Sequence, residues 1–263
     1  MKKDTENAYA LVTGASSGIG AEFARQLGAM GYNLLIVSNE ESIYTRAEEL
    51  KTAHPGLQVI ALVRDLSLQS AARELFEYTQ REGLDIEVLV NNAGVYHDRD
   101  ILDDTEEFTS LILNLHMYTP AMLCYLFGGE MRKRRHGYIL NVCSVTDKMA
   151  AQRLGTYGST KAFLSHFTRA LHVELSAYGV RVTNVRPGAV DTGLFNIRPW
   201  LTKAGKCLGI IATPQMLVRR ALRALFRGRS QATIPAVFWH ILNGIILLIP
   251  TCLLRLIRKL KWF

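Results

Sequence analysis

The residues best suited to chemistry are those of Tyr157-Gly-Ser-Thr-Lys161, which open a segment with helical periodicity. A free tyrosine has a pKa near 10, which is too high for useful proton transfer at neutral pH. A lysine four residues further on lies on the same helix face, where its ammonium stabilises a phenolate and lowers that pKa. The spacing therefore predicts a tyrosine that exchanges a proton with a substrate oxygen.

Two polar residues upstream are suited to assist this tyrosine. Ser144 follows a predicted strand and precedes Tyr157 by thirteen residues, and Asn114 lies within an earlier helical pattern. A serine hydroxyl can hold a carbonyl oxygen beside the phenol, in the manner of an oxyanion-hole donor. Because a Tyr-x-x-x-Lys pair is frequent on helices, its meaning depends on what accompanies it.

A glycine-rich turn, Thr13-Gly-Ala-Ser-Ser-Gly18-Ile-Gly20, stands between a predicted strand and a predicted helix. Glycines allow a pyrophosphate to approach the helix N-terminus, where free N–H groups and the helix dipole favour anions. Such a turn alone is weak evidence, but the strand before it and the helix after it are the context that a dinucleotide site requires.

Taken together, these motifs resemble those of the single-domain short-chain dehydrogenase/reductase family, TGxxxGxG and YxxxK. Asn91-Asn-Ala-Gly94 is similar to its NNAG motif, and Pro187-Gly188 with Thr192 is similar to its PGxxxT segment. The matching pieces run from residue 8 to residue 192 in the family's order. The resemblance implies an oxidoreductase that moves a hydride between the nicotinamide of NAD(P)(H) and a carbonyl or alcohol carbon.

The resemblance also assigns a role to each site residue. Tyr157 would be the acid/base, Lys161 its pKa-lowering partner and ribose ligand, Ser144 the substrate orienter, and Asn114 the holder of a relay water. The cofactor-binding residues would be Gly14, Ser16, Ser17, Gly18, Ile19, Gly20, Asn39, Asp65, Leu66, Asn92, Ala93, Gly94, Tyr157, Lys161, Pro187, Gly188, Val190 and Thr192. Asp65 is expected at the adenine and the Asn92–Gly94 segment at its ribose.

Cofactor choice depends on the end of the second predicted strand. An acidic residue there excludes the 2′-phosphate of NADP(H), and an arginine favours it. Asn39 holds this position and is neither, whereas Glu40 and Glu41 argue mildly for NAD(H). We expect NADP(H), with NAD(H) as the alternative.

Short β-branched runs alternate with helical patterns, which predicts an α/β, doubly wound (Rossmann) fold with a parallel sheet and helices on both faces. The predicted strands are 8–12, 33–38, 58–63, 88–91, 138–143, 180–185 and 231–234; the predicted helices include 18–30, 67–81, 108–135 and 157–178. We expect one domain over 1–263: a cofactor and catalytic core (8–192), a substrate loop and basic helix (193–230), and a last strand with a tail (231–263).

The charge is unevenly distributed. All 23 acidic residues lie within residues 1–191, whereas twelve basic and no acidic residues follow Asp191, so the net charge of +8 comes from the C-terminal part. The four cysteines show no CxxC spacing, which indicates structural thiols in a reducing compartment. No apolar stretch precedes the first strand, so we expect no signal peptide and a cytoplasmic location. The histidines do not form a cluster with metal-ligand spacing, so we expect no metal site.

The tail leaves three interpretations open. Residues 230–254 lack Asp, Glu, Lys and Arg, and the stretch after them is basic and ends in Trp262-Phe263. These features suit an interfacial anchor on an anionic membrane, a segment packed on the domain or a partner subunit, or a membrane span. No base-recognition motif and no group of aromatic residues for base stacking accompanies the basic tail, so nucleic-acid binding is not supported. An apolar segment of this kind, together with the family resemblance, suggests a lipophilic substrate such as a 3-oxoacyl chain, a sphingoid ketone or a steroid.

Three functions therefore remain open. The first is an NADP(H)-dependent reductase of a lipophilic ketone, at the cytoplasmic membrane surface. The second is an NAD-dependent dehydrogenase of a small or steroidal alcohol, and the third is a catalytically silent dinucleotide-binding regulator. The intact Tyr157, Lys161, Ser144 and Asn114 argue against the third. We also expect a homo-oligomer.

Overall fold

The computed structural model describes residues 8–96, 98–149, 152–191 and 211–235, together with Gly244. Its strands are β1 (Ala8–Thr13), β2 (Asn33–Ser38), β3 (Val59–Val63), β4 (Asp85–Asn91), β5 (Gly137–Val142), β6 (Val180–Pro187), β7 (Ala189–Val190), β8 (Ile211–Ala212) and β9 (Gln231–Ile234). Seven of them form one parallel sheet in the order β3-β2-β1-β4-β5-β6-β9, and β7 pairs with β8 separately. The predicted doubly wound sheet is confirmed.

The helices follow the strands in alternation. They are α1 (Gly18–Ala29), α2 (Ser42–Ala53), α3 (Ala71–Arg81), α4 (Glu106–Leu113), α5 (Thr119–Arg134), α6 (Gly155–Ser176) and α7 (Pro214–Phe226). Short 3₁₀ turns cover Ile101–Asp103 and Val145–Lys148. Thr213 caps α7, with Oγ1 accepting from the N–H of Met216 at 3.3 Å.

The core lies on both faces of the sheet, because alternate residues of each strand point to opposite sides. In β1, Ala10 and Val12 face the cluster that includes α1, α2 and α7, whereas Leu11 faces the cluster that includes α3, α5 and α6. Both faces being apolar explains why the strands have nearly continuous hydrophobic sequences.

The long helix predicted over 108–135 is interrupted. Asn114–Tyr118 form a wider π turn between α4 and α5, and Pro120 stands at the start of α5. Such π turns are frequent at functional sites. By length and a mean hydropathy of 1.2 the helical stretch Glu106–Arg134 is apolar enough to span a membrane. Phe127 and Met131 nevertheless pack in the core, as expected for an interior helix of a globular domain.

The C-terminal predictions are described only in part. The short final strand predicted over 231–234 is present as β9, and it lies beside β6. The predicted substrate loop around 193–208 and the tail beyond β9, with Trp262-Phe263, lie outside the described residues apart from Gly244.

Candidate active site

One cleft opens at the carboxyl ends of the central strands, where the order of the sheet reverses between β1 and β4. This switch point is where doubly wound sheets bind ligands. The cleft has a volume of about 430 Å³. It is lined by Gly14, Ser16, Ser17, Gly18, Ile19, Ser38, Asn39, Glu40, Arg64, Leu66, Asn92, Ala93, Gly94, Val95, Leu115, His116, Val142, Cys143, Ser144, Tyr157, Lys161, Pro187, Gly188 and Val190.

The glycine turn forms one wall and is suited to a diphosphate. Gly14 has φ of +65°, and a Cβ on it would lie 2.8 Å from the Cα of Ala93, so only glycine is accommodated. Gly20 is buried beneath the turn, where a Cβ would lie 2.0 Å from the Gly14 carbonyl oxygen. Ser17 makes no side-chain cap at the start of α1. The first N–H groups of that helix are therefore available to an anion.

The NNAG segment is fastened to this turn by a small set of hydrogen bonds. Thr13 Oγ1 accepts from the N–H groups of Asn92 and Ala93, both at 3.0 Å. The Asn92 amide donates back to the carbonyl oxygens of Thr13 and Gly14, at 3.0 and 3.1 Å. These hydrogen bonds hold the two predicted cofactor-binding segments together as one unit, which lines the part of the cleft that a dinucleotide would occupy.

The adenosine end holds two arginines that the motifs did not identify. Arg64 lines the cleft beside Asn39 and Glu40. Arg46, on α2, directs Nε and Nη2 to the carbonyl oxygen of Ser16, each at 3.4 Å. These guanidinium groups belong to α2 and to the loop after β3, so no contiguous motif contains them.

Asp65 follows β3, and its expected place at the adenine stays a prediction. Its Oδ1 accepts from the N–H of Ser67 at 2.9 Å and from the Ser67 hydroxyl at 2.7 Å, and it does not line the cleft. The neighbouring Leu66 lines it instead, with its carbonyl held by the Thr119 hydroxyl at 2.7 Å.

Tyr157 and Ser144 meet at the other end of the cleft. Ser144 Oγ accepts from the N–H and the hydroxyl of Thr146, at 3.2 and 2.9 Å, and its own proton is directed elsewhere. Burial raises the pKa of Tyr157 to about 12, and the hydrogen bond with Ser144 offsets part of that rise. Tyr157 is therefore a protonated phenol at neutral pH.

Lys161 lies close to Tyr157, but the pKa of Tyr157 is raised overall and not lowered as expected. The lysine Nζ donates to the carbonyl oxygen of Val142 at 3.1 Å and lies 5.7 Å from the centre of the Tyr157 ring. Burial also lowers the pKa of Lys161 itself, to about 8. Desolvation acts on both groups, and it outweighs the stabilising effect that the spacing alone predicts.

Asn114 is the catalytic candidate that the structure does not bring to the cleft. It is half-buried at the start of the π turn, and its carbonyl oxygen accepts from the N–H of Thr119. The next two residues, Leu115 and His116, reach the cleft in its place. The wider turn changes which side chains face inward, which a regular helical pattern cannot anticipate.

A buried ion pair joins the two loops next to the chemical end. Arg186 donates Nε to Asp147 at 2.7 Å and Nη2 to the other carboxylate oxygen, and each side chain is 3% exposed. Asp147 lies three residues after Ser144, and Arg186 directly precedes Pro187. The pair therefore fixes the serine loop to the loop that follows β6.

Of the predicted site residues, most are brought together. Asp65, Asn114 and the buried Gly20 stand outside the cleft lining, and Thr192 lies outside the described residues. Burial raises the pKa of the Cys124 and Cys143 thiols to about 12, which suits inert structural cysteines. Within the described ranges, no three His, Cys, Asp or Glu side chains are grouped as metal ligands would be.

Comparison with known proteins gives matches over most of the chain. The model of the short chain dehydrogenase family matches residues 8–200. The very-long-chain 3-oxoacyl-CoA reductase of Mycosarcoma maydis is 32% identical over 231 residues, which cover 86% of this chain and 64% of that protein. The protein of the same name from Coprinopsis cinerea is 33% identical, with 89% and 69% covered. The chain thus spans only about two thirds of these relatives' length.

A solved structure matches the fold closely. The short-chain dehydrogenase from Sphingobium yanoikuyae in complex with NADPH has a TM-score of 0.77 and 28% identity, with 90% of this chain and 93% of that chain covered.

Proposed function

The chain belongs to the short-chain dehydrogenase family, and we propose that it is an NADP(H)-dependent oxidoreductase that reduces the ketone of a lipophilic 3-oxoacyl chain. The observation that carries this proposal is one continuous cleft. Its glycine-turn end is shaped for a dinucleotide, and Ser144, Tyr157 and Lys161 converge at the other end.

The bound nicotinamide would supply or accept the hydride. The protein's part is to hold the carbonyl and to deliver a proton to its oxygen. Thr146 donates both its N–H and its hydroxyl to Ser144 Oγ, which leaves the serine's own proton to donate to that oxygen. Tyr157, a protonated phenol, then transfers its proton to the same oxygen as the alcohol forms. The Lys161 ammonium, anchored on Val142, offsets the negative charge left on the phenolate.

The substrate class is supported by the relatives, whose name specifies a very-long-chain 3-oxoacyl-CoA. The test is the oxidation of NADPH by purified protein with 3-oxoacyl-CoA esters of rising chain length, followed by absorbance. We expect kcat/KM to increase with chain length and to require Tyr157. Equal turnover of short polar ketones, or faster oxidation of small alcohols with NAD, would contradict the substrate assignment.

The preference for NADP(H) is supported by charge at the adenosine end. In doubly wound folds the 2′ position of the adenosine ribose faces the end of β2, and an arginine nearby accommodates a 2′-phosphate. Arg64 lines the cleft there beside one lining carboxylate, Glu40. Arg46, which is paired with Glu49, approaches from α2 and donates to the carbonyl oxygen of Ser16. Asn39, at the end of β2, has no negative charge and therefore does not repel the phosphate.

A pair of nucleotide fragments isolates the contribution of this phosphate. We expect 2′,5′-ADP to bind at least tenfold more tightly than 5′-ADP, about 1.4 kcal/mol, in a calorimetric titration. Arg46→Gln should remove most of that difference, whereas Lys51→Gln, an exposed charge on the same helix, should retain it. Equal affinity of the unmodified protein for both fragments would exclude the NADP(H) preference.

We also propose that the tail contacts an anionic membrane from the cytoplasmic side. The uncharged run 230–254 and the basic end after it support an interfacial attachment. Full-length protein should co-sediment with phosphatidylserine vesicles, and high salt should weaken this only in part because the apolar term is not screened. Removal of residues 236–263 should abolish it. If the protein stays in solution without detergent and does not bind these vesicles, a tail packed on the domain or on a partner subunit would be favoured.

A homo-oligomer is the remaining proposal. Tyr125 on α5 and Phe163 and Val173 on α6 are 70%, 39% and 72% exposed, which is apolar surface that a second copy could cover. Light scattering after size exclusion tests it, and a monomer at micromolar concentration would refute it.

A further inference from the structure

His116 is the most deeply buried titratable side chain in the cleft that the proposed mechanism does not use. It is 1% exposed and lies between the loop after β4 and helix α6. Its Nε2 accepts from the N–H of Val95 at 2.9 Å, and its Nδ1 lies 3.1 Å from the Thr160 hydroxyl. Both ring nitrogens are therefore engaged, one on each side of the cleft.

The partners fix which nitrogen holds the proton. An amide N–H can only donate, so Nε2 has to be the unprotonated acceptor. The proton then resides on Nδ1, which donates to Thr160 Oγ1. The Thr160 hydroxyl in turn donates to the carbonyl oxygen of Tyr157 at 2.8 Å. Val95, His116, Thr160 and Tyr157 thus form one directional series of hydrogen bonds, here named the His116 bridge.

Packing around the ring supports a dedicated place for it. The imidazole stands edge-on to the Tyr157 ring, with centroids 5.7 Å apart. A Cβ on Gly94 would lie 2.8 Å from Nε2, so the NNAG glycine is what permits the ring to approach Val95. On α6 the ring faces Tyr157 and Lys161, and from the loop Tyr96 also makes an edge contact with Tyr157.

The surroundings also keep the ring neutral. Burial, together with the positive charge of Lys161, lowers the pKa of His116 well below its usual value. A protonated ring would direct an N–H at the N–H of Val95 and break the bridge. The neutral form is therefore the one in which both hydrogen bonds exist.

We propose that His116 is a positioning residue: through the His116 bridge it ties the NNAG wall of the cofactor cleft to the helix that holds Tyr157 and Lys161. Val95 and Gly94 form part of the wall against which the dinucleotide would lie, and Thr160 bonds to the backbone of Tyr157 itself. The bridge thereby sets the distance between hydride and proton donors. The role of the bridge in positioning hydride and proton donors rests on the proposed function, but the hydrogen bonds that form the bridge do not.

The unmodified protein tests the bridge directly. In a ¹⁵N-histidine NMR spectrum, His116 should show a protonated Nδ1 and an unprotonated Nε2, without change from pH 8 to pH 5.5. A proton on Nε2, or titration near pH 6.5, would overturn the proposal. Amide hydrogen exchange at Val95 should be slow and should become at least tenfold faster in His116→Phe, which preserves ring packing but removes both hydrogen bonds. Unchanged exchange would also overturn it.

A double-mutant cycle tests the functional consequence. His116→Phe and Thr160→Val should each lower kcat for NADPH-dependent reduction of a 3-oxoacyl-CoA about tenfold, and the double variant should be little worse than either. NADPH affinity, measured by fluorescence, should fall several-fold in His116→Phe and change less than twofold in Thr160→Val. The control is His166→Phe, an exposed histidine on α6, the helix of Thr160, which should behave as the unmodified protein. Additive losses would exclude a shared bridge, whereas an unmodified protein that neither binds NADPH nor turns over would refute the proposed function only.

Discussion

Replacing Lys161 with methionine should stabilise the protein at neutral pH while it removes activity. The ammonium is 5% exposed, and burial lowers its pKa from 10.5 to about 8. At about 1.36 kcal/mol per pH unit, keeping this charge in the folded state costs about 3 kcal/mol at pH 7. Methionine has a similar length, but it leaves the Val142 carbonyl without its 3.1 Å donor, which costs about 1 kcal/mol. The net gain is about 2 kcal/mol.

The pH dependence gives this prediction its sign. Below pH 8 the lysine is protonated in both folded and unfolded chains, so the full cost of burying the charge applies. As the pH rises from 8 towards 10.5 the folded form loses its proton first, and the cost disappears. The advantage of Lys161→Met should therefore be largest at pH 7 and close to zero at pH 10.

Urea unfolding of the protein without nucleotide, at pH 7 and pH 10, measures both values. Lys51→Met is the matched control, because this lysine is 46% exposed and should show no such pH-dependent gain. A Lys161→Met protein that is less stable at pH 7, or equally changed at both pH values, would refute the argument that the buried ammonium is costly. Turnover should meanwhile fall at least about 100-fold, the usual scale for loss of acid/base assistance.

Three further outcomes are expected. Tyr157→Phe should lower turnover by about two orders of magnitude with NADPH affinity retained, and near-normal turnover would contradict its role as proton donor. Alcohol oxidation should accelerate with pH while ketone reduction stays nearly flat below pH 8, because burial raises the pKa of Tyr157 to about 12; a falling oxidation rate in pH–rate profiles would argue against this. Asp147→Asn should destabilise the fold by roughly 3–5 kcal/mol, since it leaves Arg186 buried without its charge partner; in urea unfolding, a loss below about 1 kcal/mol would mean that water reaches the pair.

Much of the fold and the site was predictable because its signals are local. The glycine turn, the NNAG segment and Tyr157-Gly-Ser-Thr-Lys161 each occupy a few consecutive residues at the end of a strand or the start of a helix. In a parallel sheet those carboxyl ends meet at one edge. A correct order of strands therefore brings the motifs together without further information.

The rest depends on contacts between distant segments. Arg46 reaches Ser16 from another helix, and His116 meets Val95 and Thr160 across the cleft. A single histidine without ligand-spaced neighbours is inconspicuous in sequence. His116 lies in a π turn, which a regular helical period does not predict, whereas Asn114 was assigned its role by the family resemblance.

The pKa values of the site have a common physical origin. Tyr157 is shifted upward, and Lys161 and His116 downward, and in each case burial is the largest cause. A dry pocket disfavours every charged form, so it keeps the phenol protonated and the imidazole neutral. Both are the forms that ketone reduction needs, one to give a proton and the other to hold two hydrogen bonds. Of these three groups, Lys161 is the one that stays mostly charged at pH 7, because its pKa is about 8, and it can offset the negative charge that forms on Tyr157. The energetic cost of that ammonium is therefore a requirement of the chemistry and not a defect of packing.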